Sequence, residues 1–433
     1  MKIIRACSFF VVAFVLVLPN ANAETLSDML RSLSENHAKI RGAEAELAEA
    51  KHDVKSSYLE WLPTVTLTAD VAHDQTTLDS ATATATNINP DSYDVEVKLN
   101  QTIWDFGVKN SAIDSVLLTQ RIRELELASE KQELVADGAK AYISLYKFHK
   151  TWQFASQSVE NIKRQTGLEE ILVRKGAGIT TDVLKSKGYL RTAEARMAKA
   201  AGKLQNAKTD YLRYFKTLPE DFDSMQSVGV KTEETQLEEL TADAVRNSYK
   251  LLIADLKVKV NKEKEFKANA KGFYPVIDLT ADMALQNNTG SNAGYRTSSV
   301  TLKAKLPIDG FGLSTISKTK AEKSKTLALR EKYQDIHEET VSDIRKAWQD
   351  FETAQTNAAI LSDRVSIENA FLERARKERL LGTRSLLDVL KGEIDLIDAQ
   401  SGAQSAQEDL TIALIEVFLA SGRLSPDVFA EDN

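Results

Sequence analysis

The side chains that could perform chemistry in this chain are five histidines, one cysteine, and acids and arginines near two glycine turns. The histidines are His37, His52, His73, His149 and His337. None is spaced with another histidine or a carboxylate in the way that metal ligands require. The single cysteine, Cys7, rules out a disulfide framework and a multi-cysteine metal site. These positions therefore predict neither a metal centre nor a cofactor.

Motifs for nucleophilic catalysis and phosphate binding also fail to appear. No serine lies in a nucleophile elbow. Gly176-Ala177-Gly178 lacks the following Gly-Lys-Ser/Thr of a phosphate-binding loop, so it indicates a turn. A formal charge of −7 over 433 residues gives no reason to expect a nucleic-acid partner. We therefore predict that the protein is not an enzyme and does not bind nucleic acid.

Residues 1–23 have the organisation of a secretory signal peptide. Lys2 and Arg5 form a basic start, an apolar run follows at 9–18, and Ala21-Asn22-Ala23 fits a cleavage site. The apolar run is too short to span a bilayer as a helix, and an uncleaved anchor is the alternative interpretation. No later segment contains 18 consecutive apolar residues. We therefore expect an exported protein whose mature chain has no transmembrane helix.

The remaining chain contains an internal duplication. Five of eight residues in 63–70 are identical to those in 275–282, at an offset of 212. Asp182-Val183-Leu184-Lys185 recurs as Asp388-Val389-Leu390-Lys391, at an offset of 206. Matching landmarks in the same order at a nearly constant offset predict tandem repeats. The two predicted repeats are 24–235 and 236–433.

Each repeat has two segments in which apolar and polar side chains alternate. They predict strands at about 63–73 and 93–104, and at about 275–286 and 295–306. About ten residues is the length of a tilted strand in a membrane barrel, although a half-buried hairpin of a soluble domain is the alternative. Aromatic residues at the strand ends favour the membrane, because such girdles lie at bilayer interfaces. They are Tyr58, Trp61, Tyr93, Trp104, Phe106, Phe273, Tyr274, Tyr295 and Phe311. The connections Gln75–Asp91 and Gln286–Gly294 are predicted to be exposed loops.

The other segments have the composition of long helices. Residues 313–381 contain no Pro or Gly, and good helix formers dominate them. Such a run would extend roughly 100 Å as one helix, so we predict coiled-coil-like rods that reverse at glycine turns. The predicted helices cover about 25–60, 106–175 and 181–217 in the first repeat, and about 241–272, 313–381 and 386–421 in the second.

Four strands are too few to close a barrel around a pore. Open sheet edges are not tolerated in lipid, so several copies must share one barrel. Three copies would give twelve strands with pseudo-sixfold helical packing below them, but dimers and tetramers are not excluded by these residues. The predicted fold class is an α+β membrane protein in which a shared, trimeric β-barrel continues into a helical tunnel.

These features resemble the TolC-like outer-membrane factor family over essentially the whole mature chain. The resemblance rests on the duplicated halves and their Pro-led strands. It also rests on Trp104-Asp105-Phe106-Gly107 and its counterpart Asp309-Gly310-Phe311-Gly312. The most specific part is the tip sequence at 382–390. The ending at 420–424 is similar to members that serve type I secretion.

The resemblance implies a homotrimer with a barrel in the outer membrane and a tunnel that crosses much of the periplasm. A periplasmic adaptor and an inner-membrane pump, either ABC-type or proton-driven, would dock at the lower end. The duct would pass type I secreted proteins, small toxic compounds, or both. Multidrug efflux alone is one alternative. A periplasmic adaptor without a pore is another, and the alternating strands with aromatic ends argue against it.

The resemblance also implies a gate at the helical tips. Matching motif positions places Asp388 in a constriction ring and makes Arg384 a latch that reaches Thr181 and Asp182 of the neighbouring copy. The alternative is that Asp182 and Asp388 only stabilise helix starts, because carboxylates are favoured at helix N-termini.

Two tip residues depart from the family pattern. Lys391 lies one turn beyond Asp388, where relatives can carry a second acid. Arg379 takes the place of an aromatic latch partner. We therefore expect weaker cation selectivity than two acidic rings would give.

Overall fold

The computed structural model consists of long helices and a few strands. It describes residues 25–73, 76–80, 83–88, 91–176, 179–219, 222, 225, 227–229, 236–288 and 293–429. The signal peptide predicted for 1–23 lies outside these residues. Within the described ranges, no helix is both long enough and apolar enough to cross a membrane.

The described elements follow one another in a repeated order of helices, strands and long helices. The helices are α1 (Leu26–Asn36), α2 (Ala38–Leu59), α3 (Val108–Arg174), α4 (Thr180–Phe215), α5 (Leu237–Asn247), α6 (Tyr249–Phe273), α7 (Leu313–Leu380) and α8 (Leu386–Ala420). The strands are β1 (Thr64–His73), β2 (Thr76–Ser80), β3 (Ala83–Ile88), β4 (Asp91–Trp104), β5 (Val276–Asn288) and β6 (Ala293–Lys305).

Four of the strands form one antiparallel sheet in the order β1-β4-β5-β6. The register aligns Val65 with Leu99, Leu99 with Ala281, and Ala281 with Val300. Since side chains alternate along each strand, this row lies on one face of the sheet, and the apolar residues of all four strands share that face. The sheet therefore joins strands of both repeats, with β1 and β6 at its edges.

The two connections predicted as exposed loops are shorter than expected. Residues 75–91 contain β2 and β3, which pair as a separate two-stranded sheet, so the loop prediction was wrong there. Threonine is β-branched and favours strands, a preference that the loop-like Asn and Ala content obscured. In the second connection, β5 runs to Asn288 and β6 begins at Ala293. Residues 289–292 between them lie outside the described ranges.

Two helices predicted as continuous are each interrupted, which corrects the sequence interpretation. The predicted helix at about 25–60 divides into α1 and α2 at His37, and the one at about 241–272 divides into α5 and α6 at Ser248. His37 Nδ1 accepts the N–H of Lys39 at 3.2 Å, and Ser248 Oγ accepts the N–H of Leu251 at 3.4 Å. These side chains satisfy backbone donors at a new helix start, so each break needs no Gly or Pro.

Two helical hairpins extend away from the sheet. Helices α3 and α7 have 67 and 68 residues and reverse into α4 and α8 at turns containing Gly176 and Gly382, whose φ angles are 77° and 78°. Glycine suits these turns because it adopts a positive φ without steric cost.

One ion pair crosses each hairpin at the same distance from its turn. Lys187 Nζ lies 2.8 Å from Glu170 Oε1 in the first hairpin, and Arg376 pairs with Glu393 in the second. Both pairs join residues 17 positions apart in the sequence, with the signs of charge reversed between the hairpins. The two hairpins therefore carry an ion pair at corresponding positions.

The largest buried cluster lies where α1, α3, α4 and α8 meet, away from both the sheet and the turns. Leu30, Ile143 and Ile415 are fully buried there. Gly138 of α3 permits the close approach of α1, because a Cβ at this position would lie 2.6 Å from Leu33 Cδ2. Since α8 comes from the second repeat and the other helices from the first, this cluster joins the two repeats.

A carboxyl group is buried beside this cluster. Glu408 of α8 is inaccessible to solvent, and its Oε1 accepts hydrogen bonds from Ser227 Oγ at 3.2 Å and Gln404 Nε2 at 2.8 Å. Its Oε2 is buried and has no hydrogen-bond partner among the residues that the structure describes. Burial raises the pKa of Glu408 to about 7, against the opposing effects of these two donors and of Lys147.

We predict that Glu408 makes the protein less stable as the pH rises from 5 to 8. The raised pKa means that the folded chain still holds a proton that the unfolded chain releases above its ordinary pKa, so the stability decreases up to about pH 7 and then levels off. Glu408→Gln keeps an Oε1 acceptor and removes this penalty. At pH 8 we expect it to be more stable than the parent by up to about 3 kcal/mol, and at pH 5 to match it. Denaturation in detergent at both pH values measures this difference, and an equal difference at both would contradict the prediction.

Candidate functional site

Two regions of the structure have features that the packing of a single chain leaves unexplained. One is the sheet, whose apolar face is not covered by any residue within the described ranges. Val65, Leu67, Val71, Val300 and Leu302 are each 63–75% exposed. An apolar face of this extent on four strands indicates contact with lipid or with another protein surface.

The opposite face of the sheet is polar and internally bonded. Thr280 Oγ1 donates to Asn100 Oδ1 at 3.2 Å, and Ser299 Oγ donates to Asp282 Oδ1 at 2.9 Å. The sheet therefore separates a lipid-compatible side from a water-compatible side, as in the wall of an aqueous pore.

Aromatic side chains collect where the strands join the helices. Phe106 lies 6.0 Å from Trp104 in an edge contact and 5.3 Å from Tyr274 in a stack, measured between ring centroids. Phe311, the counterpart of Phe106 in the second repeat, is 98% exposed. Rings of this kind are favoured at membrane interfaces.

Asp105 holds the tight turn between β4 and α3. It is buried, and its carboxylate accepts the N–H groups of Gly107 at 3.1 Å and Lys109 at 2.7 Å. The backbone of Phe106 has a φ of 55°, a strained value for a residue with a side chain. The carboxylate of Asp105 therefore stabilises the turn that directs α3 away from the sheet.

The second region is the pair of helical tips, where the predicted gate residues lie. Thr181 and Asp182 are in the first turn of α4, and Asp388 is in the first turn of α8. The N–H of Asp388 donates to Ser385 Oγ at 3.2 Å, so Ser385 caps the helix. The side chains of Thr181 and Asp388 are exposed and that of Asp182 is half-buried. These positions suit both a helix-start role and a role in a constriction.

Arg384 is engaged within its own hairpin. Its Nε lies 2.7 Å from Glu378 Oε2, and its guanidinium lies 5.2 Å from the centre of the Phe371 ring. The predicted contact with Thr181 and Asp182 is between neighbouring copies and stays a prediction. Lys391 is exposed on α8, beyond Asp388.

Arg379 makes a connection that the sequence did not reveal. Its Nη2 lies 3.1 Å from Glu169 Oε2, which belongs to α3 of the other hairpin, and its Nη1 donates to the carbonyl oxygen of Arg384 at 3.4 Å. Glu169 is only 5% exposed. Arg379 thus ties the tips of the two hairpins together and supports the backbone that carries Arg384.

The acids that pair with tip arginines were missed by sequence reasoning for different reasons. Arg379 and Glu169 are 210 positions apart, so no local spacing could have indicated their contact. Arg376 and Glu393 lie at similar distances in sequence on either side of the turn at Gly382. Aligning the two antiparallel helices of the predicted hairpin would therefore have indicated their contact. No group of three or more potential metal ligands occurs within the described ranges.

Comparison with known proteins gives the same architecture. The family model described as outer membrane efflux protein matches residues 29–210 and 240–423. The outer membrane efflux protein BepC of Brucella suis biovar 1 (strain 1330) is 23% identical over 437 residues, covering 98% of this chain and 92% of BepC. The outer membrane protein TolC of Escherichia coli (strain K12) is 21% identical over 430 residues, covering 95% of this chain and 85% of TolC.

Solved structures share the fold at low sequence identity. The outer-membrane channel OprN has a TM-score of 0.78 at 20% identity, covering 92% of this chain and 89% of OprN. The CmeC outer membrane channel of Campylobacter jejuni has a TM-score of 0.80 at 14% identity, covering 92% of this chain and 85% of CmeC.

We predict that Arg379→Ala loosens the tips. It leaves the buried Glu169 carboxylate without its partner, which typically costs about 3 kcal/mol or more. Hydrogen exchange of amides at 165–175 and 376–386 should become faster. In Arg379→Ala/Glu169→Gln, which removes the uncompensated charge, exchange should return part of the way to the parent rate.

Arg364→Ala provides the matched control. Arg364 is exposed and lies 3.8 Å from the half-buried Glu368 on the same helix, and such surface pairs contribute about 0–1 kcal/mol. Equal exchange rates in Arg379→Ala and Arg364→Ala would show that the Arg379–Glu169 pair does not hold the tips.

Proposed function

The chain belongs to the outer membrane efflux protein family, and we propose that three copies of it form the exit duct of a tripartite export machine. Membership of this family makes the protein a non-enzymatic outer-membrane efflux channel that extends into the periplasm. Beyond family membership, we propose the number of copies in the channel, the position of its gate and the kind of cargo that it passes. The observation that carries it is the four-stranded sheet, apolar on one face and polar on the other, that is continuous with two long helical hairpins.

The sheet supports an assembly of several copies. Strands β1 and β6 are its two edges, and edge backbone groups are costly in a bilayer. If β6 of one copy pairs with β1 of the next, both edges are satisfied and the barrel closes. Three copies give twelve strands, with polar residues such as Asp278 and Asp282 towards the lumen. The partners at the lower end would be a periplasmic adaptor and an inner-membrane pump.

The gate would lie at the opposite end, where the tips of three copies converge. In a trimer, the three copies of Asp388 form a ring of three carboxylates, and such rings favour cations in a narrow lumen. Lys391 would reduce that preference. Arg384 would break its ion pair with Glu378 and contact Thr181 and Asp182 of the neighbouring copy instead. A docked adaptor would open the gate by binding the open arrangement more tightly.

Two kinds of cargo fit this duct. The ending at 420–424, similar to family members that serve type I secretion, supports unfolded protein cargo. The relative from Brucella suis is named an efflux protein, which supports small toxic compounds. We propose type I secreted proteins with or without small molecules, and small-molecule efflux alone is the second candidate.

We predict that Arg384→Ala loosens the closed tip, since it removes the latch to the neighbouring copy. Single-channel conductance in planar bilayers should increase, and cells should become more sensitive to large antibiotics. Glu378→Gln is the matched control, because it removes the partner within the hairpin and keeps the Arg384 guanidinium. Unchanged conductance in Arg384→Ala, or the same increase in both variants, would contradict the latch between copies.

We predict that deleting the gene removes specific large proteins from the culture medium. Mass spectrometry of supernatants from a deletion strain and its complemented strain measures this directly. Selective loss of large secreted proteins supports type I secretion. An unchanged set of secreted proteins together with increased sensitivity to drugs and bile salts would assign the channel to small-molecule efflux alone. If the deletion strain showed neither a loss of secreted proteins nor an increased sensitivity, the proposed export function would be contradicted.

A further inference from the structure

The helices next to the sheet differ in charge between the two repeats. α6 carries seven lysines and three carboxylates, and the first 20 residues of α7 carry six basic residues and two carboxylates. Each segment therefore has a net charge of +4. The corresponding segments of the first repeat, α2 and residues 108–127 of α3, have equal numbers of basic and acidic residues. The fold thus accepts a neutral wall at this height, and packing does not explain the positive charge.

Some of these lysines follow a heptad spacing on both helices. In α6 they lie 5, 12 and 19 positions before Val276, and in α7 they lie 5, 12 and 19 positions after Leu313. At 1.5 Å per residue, the spacing gives three tiers about 10 Å apart. All six are exposed, and among the residues that the structure describes no ion pair joins any of them to a carboxylate. The six residues, called here the lysine ladder, are Lys257, Lys264, Lys271, Lys318, Lys325 and Lys332.

Acids of the same two segments have other partners or other surroundings. Thr326 Oγ1 donates to Glu265 Oε2 at 3.3 Å across the contact between α6 and α7. One carboxylate oxygen of Glu322 is buried. Lys259, which is outside the ladder, lies 2.7 Å from Asp255. The ladder therefore keeps its positive charge exposed.

Contacts of α6 indicate which way its lysines face. Asn261 Nδ2 donates to Thr326 Oγ1 of α7 at 3.0 Å, and Ser111 Oγ of α3 donates to the carbonyl oxygen of Glu263 at 2.7 Å. At 100° per residue, Glu263 lies about 200° around α6 from Asn261, and the three ladder lysines lie at about 280–320°. They fall in the narrower arc, of about 160°, between the two neighbouring helices. In a closed ring of helices the narrower arc faces the inside, so these lysines face the lumen.

A cavity between α3, α7 and the junction of α6 with α8 marks the same side of the wall. Its lining includes Glu133, Lys250 and Asp343. On α6, Lys250 lies at about 340° on the same scale, beside the ladder, and on α7, Asp343 lies about 260° from Thr326, where the ladder lysines lie at about 240–280°. Glu133 lies about 140° around α3 from Gly138, which contacts α1. The ladder of both helices therefore continues the concave face that lines this cavity, away from α1.

We propose that the lysine ladder binds extended, carboxylate-rich polypeptide inside the upper part of the tunnel. The inference rests on the proposed function, because the ladder faces a lumen only when several copies close a ring. Three copies would place eighteen lysines around one lumen. An extended chain advances about 3.3–3.6 Å per residue, so carboxylates three residues apart match tiers about 10 Å apart. Ammonium groups that line a confined path attract such a chain.

The cavity below the ladder has the opposite charge. Lys250 lies one heptad, about 10 Å, below the lowest tier. Two lysines and five carboxylates line the cavity, and it stays acidic although Lys140 pairs with Glu416. An anionic segment is therefore favoured beside the ladder and disfavoured here, which separates the binding region from the gate. The five carboxylates belong to Glu133, Asp137, Asp343, Asp350 and Glu416.

Fluorescence anisotropy of labelled poly-L-aspartate with the purified, detergent-solubilised protein tests this proposal. The parent should bind at low salt, and its affinity should fall as salt rises. Replacing Lys257, Lys264, Lys325 and Lys332 with Gln should weaken binding about tenfold, because several exposed charge contacts are lost together. Monomeric aspartate at the same carboxylate concentration should compete poorly. Equal competition would assign the ladder to small anions and overturn the polypeptide proposal.

The matched control changes the same number of charges on the same two helices but on other faces. It replaces four exposed residues, Lys262, Lys320, Lys323 and Arg330, with Gln. At 100° per residue, they lie at about 40–120° on the two scales used above, away from the ladder. The control should bind poly-L-aspartate like the parent. Equal loss in both variants, or no binding by the parent, would overturn the proposal.

Single-channel recording in planar bilayers tests whether the ladder lies in the lumen. Poly-L-aspartate added on the extracellular side should block the parent and the control at similar concentrations, and the ladder variant should need about tenfold more. Binding in solution without block of an open channel would place the ladder outside the lumen and overturn the proposal. A protein that binds poly-L-aspartate through the ladder but forms no channel would instead contradict the proposed duct, and the binding result would stand.

Discussion

An unpaired strand edge is costly inside a bilayer, and this constraint governs the rest of the molecule. The chain supplies a sheet of four strands with β1 and β6 at its edges. The apolar row from Val65 to Val300 makes one face suitable for lipid, while the backbone groups of the edges still need partners. A single chain cannot satisfy both requirements. The proposed assembly of several copies satisfies both requirements, and the duplicated sequence provides each copy with two equivalent pairs of strands.

The helical part meets a different constraint, which is the burial of charge in a narrow, close-packed rod. Glu169 and Glu393 are almost inaccessible, and each is paired with an arginine of α7. Glu408 is equally buried, but its partners are neutral side chains, so its pKa rises. Two of these carboxylates therefore pair with arginines near the hairpin tips, and we expect the third to make the contact between the repeats sensitive to pH. The same element, a buried acid on a long helix, has different consequences because its partner differs.

Sequence periodicity predicted the elements that a single physical pattern defines. The alternation in 93–103 identified a strand, and the absence of Pro and Gly in 313–381 identified a long rod. It failed where local hydrogen bonds decided the outcome. His37 and Ser248 each cap a new helix within a segment of good helix formers. Neither break has a Gly or Pro that would have indicated it in the sequence. The strands β2 and β3 were missed because their composition resembles that of a loop.

The sequence by itself determined the export class, the duplication, the four strands of the larger sheet, the two longest helices and the positions of the turns, because these follow from local composition and spacing. It also placed Asp388 at a helix start next to a glycine turn. Only the tertiary structure decided which side chains meet across long separations. Arg379 and Glu169 are joined because two hairpins of different repeats pack side by side. Such contacts depend on how elements are rotated about their axes, and a linear pattern does not contain that rotation.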